Sequence, residues 1–356
     1  MNQAEPIPAR SISRTFTELP ARPLITKLLI LAAPFAIFVA FLFAADPDAA
    51  ETIRKVLRST LGTSFGWSEV LLVAAPISLA ALATAIPARA HLVNVGAEGQ
   101  LAIGALFATY VAVSITTDLP AVIALPTIGL AGMIGGALWA SVAGFARIKL
   151  GTNETIFTLL TNFIAFLVVG QILDTFLKDP GSFNWPFSEP FSDSNRLPTI
   201  GDLRLHWGVF VSPIFAGITA YIVSRTVWGL RLRAVGGNLN AAIRSGIKVN
   251  RYQLFALVVA GALAGLGGMI EVAGVEGRLR PTTGVGIGYA GFLAAWMVRH
   301  NPILLVFSSL LIGAITVSGD ALQINSGLPS SSTDILTALL VGGVLFATYR
   351  KSSVSS

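Results

Sequence analysis

Cysteine is absent from this chain, and histidine occurs only three times, as His91, His206 and His300. The first absence excludes a disulfide framework and thiolate metal sites; three scattered imidazoles near the ends of apolar runs read as interfacial residues, not as a ligand cluster. Charge is scarce too. Only 12% of residues are charged, about half the share usual in soluble domains. The dipeptide Gly-Lys never occurs, so the chain lacks the phosphate-cradling GxxxxGK[ST] loop, and any ATP that drives it must be hydrolysed by another subunit. No nucleophile and base stand at a spacing that supports catalysis. The chain is therefore expected to hold no catalytic, metal or cofactor site.

What is abundant is apolar. Hydrophobic residues make up 54% of the chain, and mean hydropathy is +0.74. A spanning helix needs roughly 20 mostly apolar residues, and such windows recur at about 24–44, 69–88, 97–117, 120–146, 155–177, 207–227, 253–274, 284–299, 302–323 and 333–349. They predict an all-α integral membrane protein of ten transmembrane helices, the third and eighth short and glycine-rich. The first run lacks a small-residue cleavage site and reads as an anchor. Lys and Arg near span ends are retained on the cytoplasmic side. With both termini inside, 16 of the 24 basic residues fall on that side, while 14 of the 18 acids fall outside or within spans. One loop, 45–67, runs against this orientation with Arg54, Lys55 and Arg58, offset by Asp46, Asp48 and Glu51. Topology also accounts for the net charge of +6, because the cations sit at span ends and not on an aromatic-interleaved patch for nucleic acid. The chain thus divides into a cytoplasmic tail (1–23), a membrane domain (24–349) holding a cytoplasmic loop at 228–252, and a second cytoplasmic tail (350–356).

Two pairs of segments resemble each other five spans apart. NVGAEGQLAIGAL (94–106) matches GVGIGYAGFLAAW (284–296), and TNETIFTLL (152–160) matches SSTDILTALL (331–340). Two five-helix halves of opposite orientation account for both. Gly132 and Gly136, like Gly261 and Gly265, are four apart, a spacing that lets helix backbones approach in lipid. Gly96, Gly99 and Gly104 differ, because they surround Asn94, Glu98 and Gln100, and polar groups at a membrane boundary must face protein or water. A broken helix start is expected there, its amides available to a polar substrate or to neighbouring loops. Gly286, Gly288 and Gly291 spell GxGxxG, but the dinucleotide fingerprint needs a preceding strand, and this one opens an apolar helix.

The segment RLRAVGGNLNAAIRSGIKVNR (231–251) carries five basic residues and no acid between long apolar runs. Asn238 is placed to cap a helix, Leu239, Ala242 and Ile243 share one face, and Gly246 suits the stop. A helix of two turns is marginal alone, so its apolar face needs a partner surface in the cytoplasm.

GGNLNAAIRSGI (236–247), with NVGAEGQLAIGA upstream, resembles the permease subunits of ATP-binding-cassette importers in the branched-chain amino acid, ribose and nucleoside superfamily, over roughly residues 65–349. The resemblance implies that the short helix is a coupling helix docking on the ATPase through Gly237, Asn238, Asn240, Ala241, Ala242, Arg244 and Gly246. It also implies a bacterial plasma-membrane location, a second permease subunit of like or unlike sequence, an external binding protein, and ATP and Mg used only by the ATPase. The loop 178–206, net acidic and aromatic, is a candidate surface for that binding protein. NVGAEGQ (94–100) and TNETIFTLLTNFIA (152–165) resemble the nucleoside or simple-sugar branch, with departures at Thr155, Leu160 and Thr161. Ribose or branched-chain amino acid permeases, and an ion-coupled secondary transporter, are the alternatives. A nucleoside offers an apolar base and a hydroxylated sugar, so its path needs apolar walls and hydrogen-bonding groups. Asn94, Glu98, Gln100, Thr158, Asn162 and Phe166 are the candidates, Phe166 as a ring that could stack on a base.

Overall fold

The computed structural model describes residues 24–201, 203–340 and 342, and among them only two isolated β-bridges interrupt an all-helical chain. The helices are α1 (Leu24–Ala45), α2 (Ala49–Leu61), α3 (Ser64–Ala88), α4 (Ala97–Ser114), α5 (Ala121–Leu150), α6 (Glu154–Thr175), α7 (Val211–Arg225), α8 (Val227–Gly237), α9 (Leu239–Arg244), α10 (Val249–Ile270), α11 (Ile287–Met297) and α12 (Pro302–Ser326). A further helix, α13, covers 332–340. The expected tails and the part of the tenth span beyond residue 342 lie outside the described residues.

Among the described residues, seven helices are long and apolar enough to cross a membrane: α3, α4, α5, α6, α7 with its preceding 3-10 turn, α10 with the π-helical turn Glu271–Glu276, and α12. This is a multi-pass helical membrane protein. The eighth expected span is shorter than the sequence indicates. Only the 11 residues of α11 are helical, about half of what a bilayer requires; residues 277–286 approach it as bends and turns.

The core is built around α3 and α10, which pack on each other and each carry two further principal neighbours. α3 packs on α11 and α12, and α10 packs on α4 and α5. The second pairing rests on a glycine seam. A β-carbon on Gly136 would lie 2.1 Å from the Gly261 carbonyl, and one on Gly265 would lie 2.1 Å from that of Gly132. The two small-residue pairs seen in the sequence therefore face each other, with backbone on backbone, as association in lipid favours.

The basic loop at 45–67 holds a structure that apolar windows do not reveal. Residues 49–61 form α2, which buries Ala49, Thr52, Val56 and Thr60 at helical spacing and packs on α12. Its Lys55 pairs with Glu51 at 2.9 Å on the exposed side.

Candidate functional site

Two regions carry the polar chemistry. The first is where the chain enters α4. Asn94 is fully buried; its Oδ1 accepts from the Gly96 amide (3.0 Å) and from Gln100 Nε2 (3.1 Å), while its Nδ2 donates to the Ala83 carbonyl (3.1 Å) and Gln100 Oε1 (3.2 Å). The bond from Gly96 satisfies an amide at the helix start, and the others tie Asn94 to Gln100 and to α3. α6 holds the same segment from the side. Thr158 Oγ1 accepts from the Val95 amide (3.3 Å), and Asn162 accepts from the Gly99 amide and donates to the Val95 carbonyl, both at 3.0 Å.

Glu98 closes this knot. It lies in the first turn of α4, is 1% exposed, and accepts from the backbone amides of Gly286 and Tyr289 at the start of α11. One acidic side chain thus sits between two helix N-termini, where two positive dipole ends favour it. Gly288 permits the meeting, since a β-carbon there would fall 2.2 Å from the Glu98 nitrogen. Gly286, at φ 88°, turns the chain into α11. The GxGxxG string is thus explained by turn and close approach. Nearby, Glu154 pairs with Arg147 and accepts from the Val93 amide (3.3 Å).

The structure gathers Asn94, Glu98, Gln100, Thr158 and Asn162 into one hydrogen-bonded cluster, each at most 1% exposed. Phe166 stands apart, half-buried against the core. Sequence reasoning missed Tyr289, whose hydroxyl accepts from Asn162 Nδ2 at 3.3 Å, because 127 residues separate them.

The second region is α8–α9. Asn238 accepts from the Ala241 amide at 3.0 Å, as a capping residue should, and Gly246 follows the helix at φ 76°. Of the expected apolar face, Ala242 is buried, whereas Leu239 and Ile243 remain 43% and 56% exposed. Ala242 thus anchors the helix on its own chain, and Leu239 and Ile243 are what α9 offers outward. Gly237, Asn240, Ala241 and Arg244 are exposed beside them.

The two regions are joined through residues 89–92. A β-carbon on Gly236 would lie 2.2 Å from the Arg89 carbonyl, and Gln253 Nε2 donates to the Ala90 carbonyl at 3.3 Å. Arg89 in turn donates to the His300 carbonyl at 2.7 Å. Burial and the charge of Arg233 lower the Arg89 pKa, and burial, with the charge of Arg89, pushes His300 down to about 4. The end of α8 and the start of α10 both grip the stretch of chain that leads into the knot.

The bundle thus holds two buried helix starts at its centre and a short capped helix outside its long apolar helices. Residues 66–349 match the model of the branched-chain amino acid transport system permease component family, to which this chain belongs. It is similar to the glucose ABC transporter permease protein TsgB13 of Haloferax volcanii, 33% identical over 89% of this chain and 85% of that one. It is also similar to the guanosine ABC transporter permease protein NupP of Bacillus subtilis (29%; 75% and 77%) and the nucleoside ABC transporter permease protein NupB of Lactococcus lactis (28%; 80% and 80%). The chain is an ABC permease subunit and not an enzyme; the family implies ATPase and binding-protein partners.

Proposed function

We propose that this chain is one of two permease subunits of an importer in the bacterial plasma membrane, admitting nucleosides or related simple sugars. Relatives named for guanosine, nucleosides and glucose support that substrate class. The observation that carries the ATP-driven reading is α9, capped by Asn238 and anchored by Ala242, with Leu239 and Ile243 uncovered. α9 is the coupling helix, with Gly237, Asn240, Ala241, Arg244 and Gly246 around it, and the ATPase alone binds ATP and Mg.

The membrane domain extends over 24–349 as ten spans in two inverted halves, with both tails and the 228–252 loop in the cytoplasm. The main partners of α3 and α10 support the repeat, since α3 packs on α11 and α12 as α10 packs on α4 and α5, and α11 packs on α12 as α4 packs on α5. Each half contributes one helix start to the knot. Movement of α9 reaches residues 89–92 through Gly236 and Gln253, and from there the cluster of Asn94, Glu98, Gln100, Thr158 and Asn162, which shifts α4 against α6 and α11. In that cycle these side chains exchange partners as the path opens, and Phe166 lines it. An external binding protein delivers substrate to the loop 178–206.

Uptake of radiolabelled nucleosides, ribose and glucose by cells carrying this permease with its partner subunits tests the reading. Nucleoside or sugar uptake should vanish when the P-loop lysine of the ATPase is replaced; uptake that persists and follows an ion gradient would sink it.

A further inference from the structure

The longest acid-free stretch among the described spans lies here: between Trp207 and Ile270 there are six cations, Arg225, Arg231, Arg233, Arg244, Lys248 and Arg251, and no Asp or Glu. Retention on the cytoplasmic side requires cations but not their convergence. Three of them nevertheless converge. Arg231, Lys248 and Arg251 line one open cavity of about 640 Å³ between α8 and α10, together with Trp228, Tyr252 and Phe255. None of the three makes an ion pair among the described residues, and all are exposed.

The cavity mouth is also the start of α10. That helix has no side-chain cap and no acid in its first turn, and places Lys248 at the cap and Arg251 one turn on. Cations at the positive end of a long helix repel its dipole, whereas an anion there is stabilised by dipole and side chains together. Arg231 is held toward the same opening by the Tyr252 hydroxyl at 2.9 Å. The other wall is aromatic. Trp228 and Phe255 meet edge to face at 5.8 Å; Phe255 is 52% exposed, and the buried indole N–H of Trp228 has no hydrogen-bond partner. Phe255 belongs to a helix apolar enough to cross the membrane. A cationic mouth beside an apolar aromatic wall, at a span end, has the polarity profile of a phospholipid at the water boundary.

We propose that this cavity binds the phosphate of an anionic glycerophospholipid from the cytoplasmic leaflet, with Arg231, Lys248 and Arg251 on the headgroup and Trp228 and Phe255 against the glycerol and upper chains. The assignment rests on the proposed cytoplasmic placement of 228–252. Because α9 lies between α8 and α10, the lipid steadies the base on which the coupling helix stands.

The test uses the assembled transporter in nanodiscs of phosphatidylcholine containing increasing phosphatidylglycerol, with lipid retention on the permease read by native mass spectrometry. The wild type should retain phosphatidylglycerol in preference to phosphatidylcholine. K248Q/R251Q should lower that preference by roughly thirtyfold, from the attraction each cation contributes near an anionic leaflet, while K248R/R251K and the control R225Q, at the end of α7, preserve it. Undiminished retention in K248Q/R251Q overturns the proposal. So does displacement of phosphatidylglycerol by millimolar inorganic phosphate, which would mark a free-anion site, or loss of the ATPase from K248Q/R251Q, which would mark a protein-docking surface. Retention is read on the permease itself, so it stands or falls separately from ATPase binding by α9, which L239D reports.

Discussion

Two helix starts meet at Glu98, and each brings unsatisfied N–H groups and a positive dipole end into a region from which water is excluded. The carboxyl group answers both, and its replacement separates charge from hydrogen bonding. Glu98→Gln keeps one acceptor and should cost about 1–2 kcal/mol, whereas Glu98→Ala leaves the Gly286 and Tyr289 amides bare and should cost about 3 kcal/mol. Thermal unfolding of the purified protein measures both, and equal melting temperatures for wild type and Glu98→Ala would remove Glu98 from the lock. The polar character of Asn94, Glu98 and Gln100 was legible in the sequence. Their partners were not, because the Glu98–Gly286 bond joins residues 188 apart, and no local periodicity reports such a distance.

His206 and His300 give the same scale a pH dependence. Burial pushes His206 from 6.5 down to about 4; it pushes His300 to about 4 as well, with the Arg89 charge adding to it. The unfolded chain takes up these protons near pH 6.5 and the folded chain resists until about 4, so stability is complete above 6.5 and falls as pH drops through that window. The loss is on the order of 3 kcal/mol per histidine. His206→Gln should flatten part of the decline in melting temperature between pH 7 and 4; a decline as steep as in the wild type would mean that His206 is not its source.

At the scale of elements, α9 shows how a sequence pattern can be right about a helix and incomplete about its faces. Capping by Asn238 and the stop at Gly246 follow from local rules, and both are present. Helical spacing groups Leu239, Ala242 and Ile243, but only tertiary packing decides that Ala242 turns inward while the other two stay uncovered. A bulky charge at Ala242 would therefore damage the permease's own packing, and the informative changes are Leu239→Asp and Ile243→Asp. Each should abolish co-purification of the ATPase while moving the melting temperature by less than about 0.5 kcal/mol equivalent, as exposed substitutions do. Asn238→Ala should cost about 1 kcal/mol through the lost cap. Normal ATPase binding by both aspartate variants would detach α9 from coupling. α2 escaped sequence reading for a different reason: it is short and strongly two-faced, with Ala49, Thr52, Val56 and Thr60 on the buried side and charged residues on the other, so a search for long apolar runs passes over it.

Across the whole molecule, the positions of seven spans were legible because lipid demands long apolar runs, and the glycine pairs were legible because close backbone approach demands small residues. What single windows could not give was α11, whose apolar composition continues beyond the 11 residues that are helical. Composition registers apolarity, whereas the helix begins only where Gly286 turns the chain against Glu98. Orientation is the decisive whole-molecule property, since the proposed arrangement of two inverted halves places α9 and the loop 178–206 on opposite sides of the membrane. The absence of cysteine makes this directly measurable. Single cysteines at Asn240, in α9, and at Phe183, which is 94% exposed in the loop, need no background substitutions. In intact cells a membrane-impermeant maleimide should label Phe183→Cys but not Asn240→Cys, and in inverted vesicles the pattern should reverse. Labelling of both from one side would break the inverted arrangement and, with it, the assignment of α9 to the ATPase.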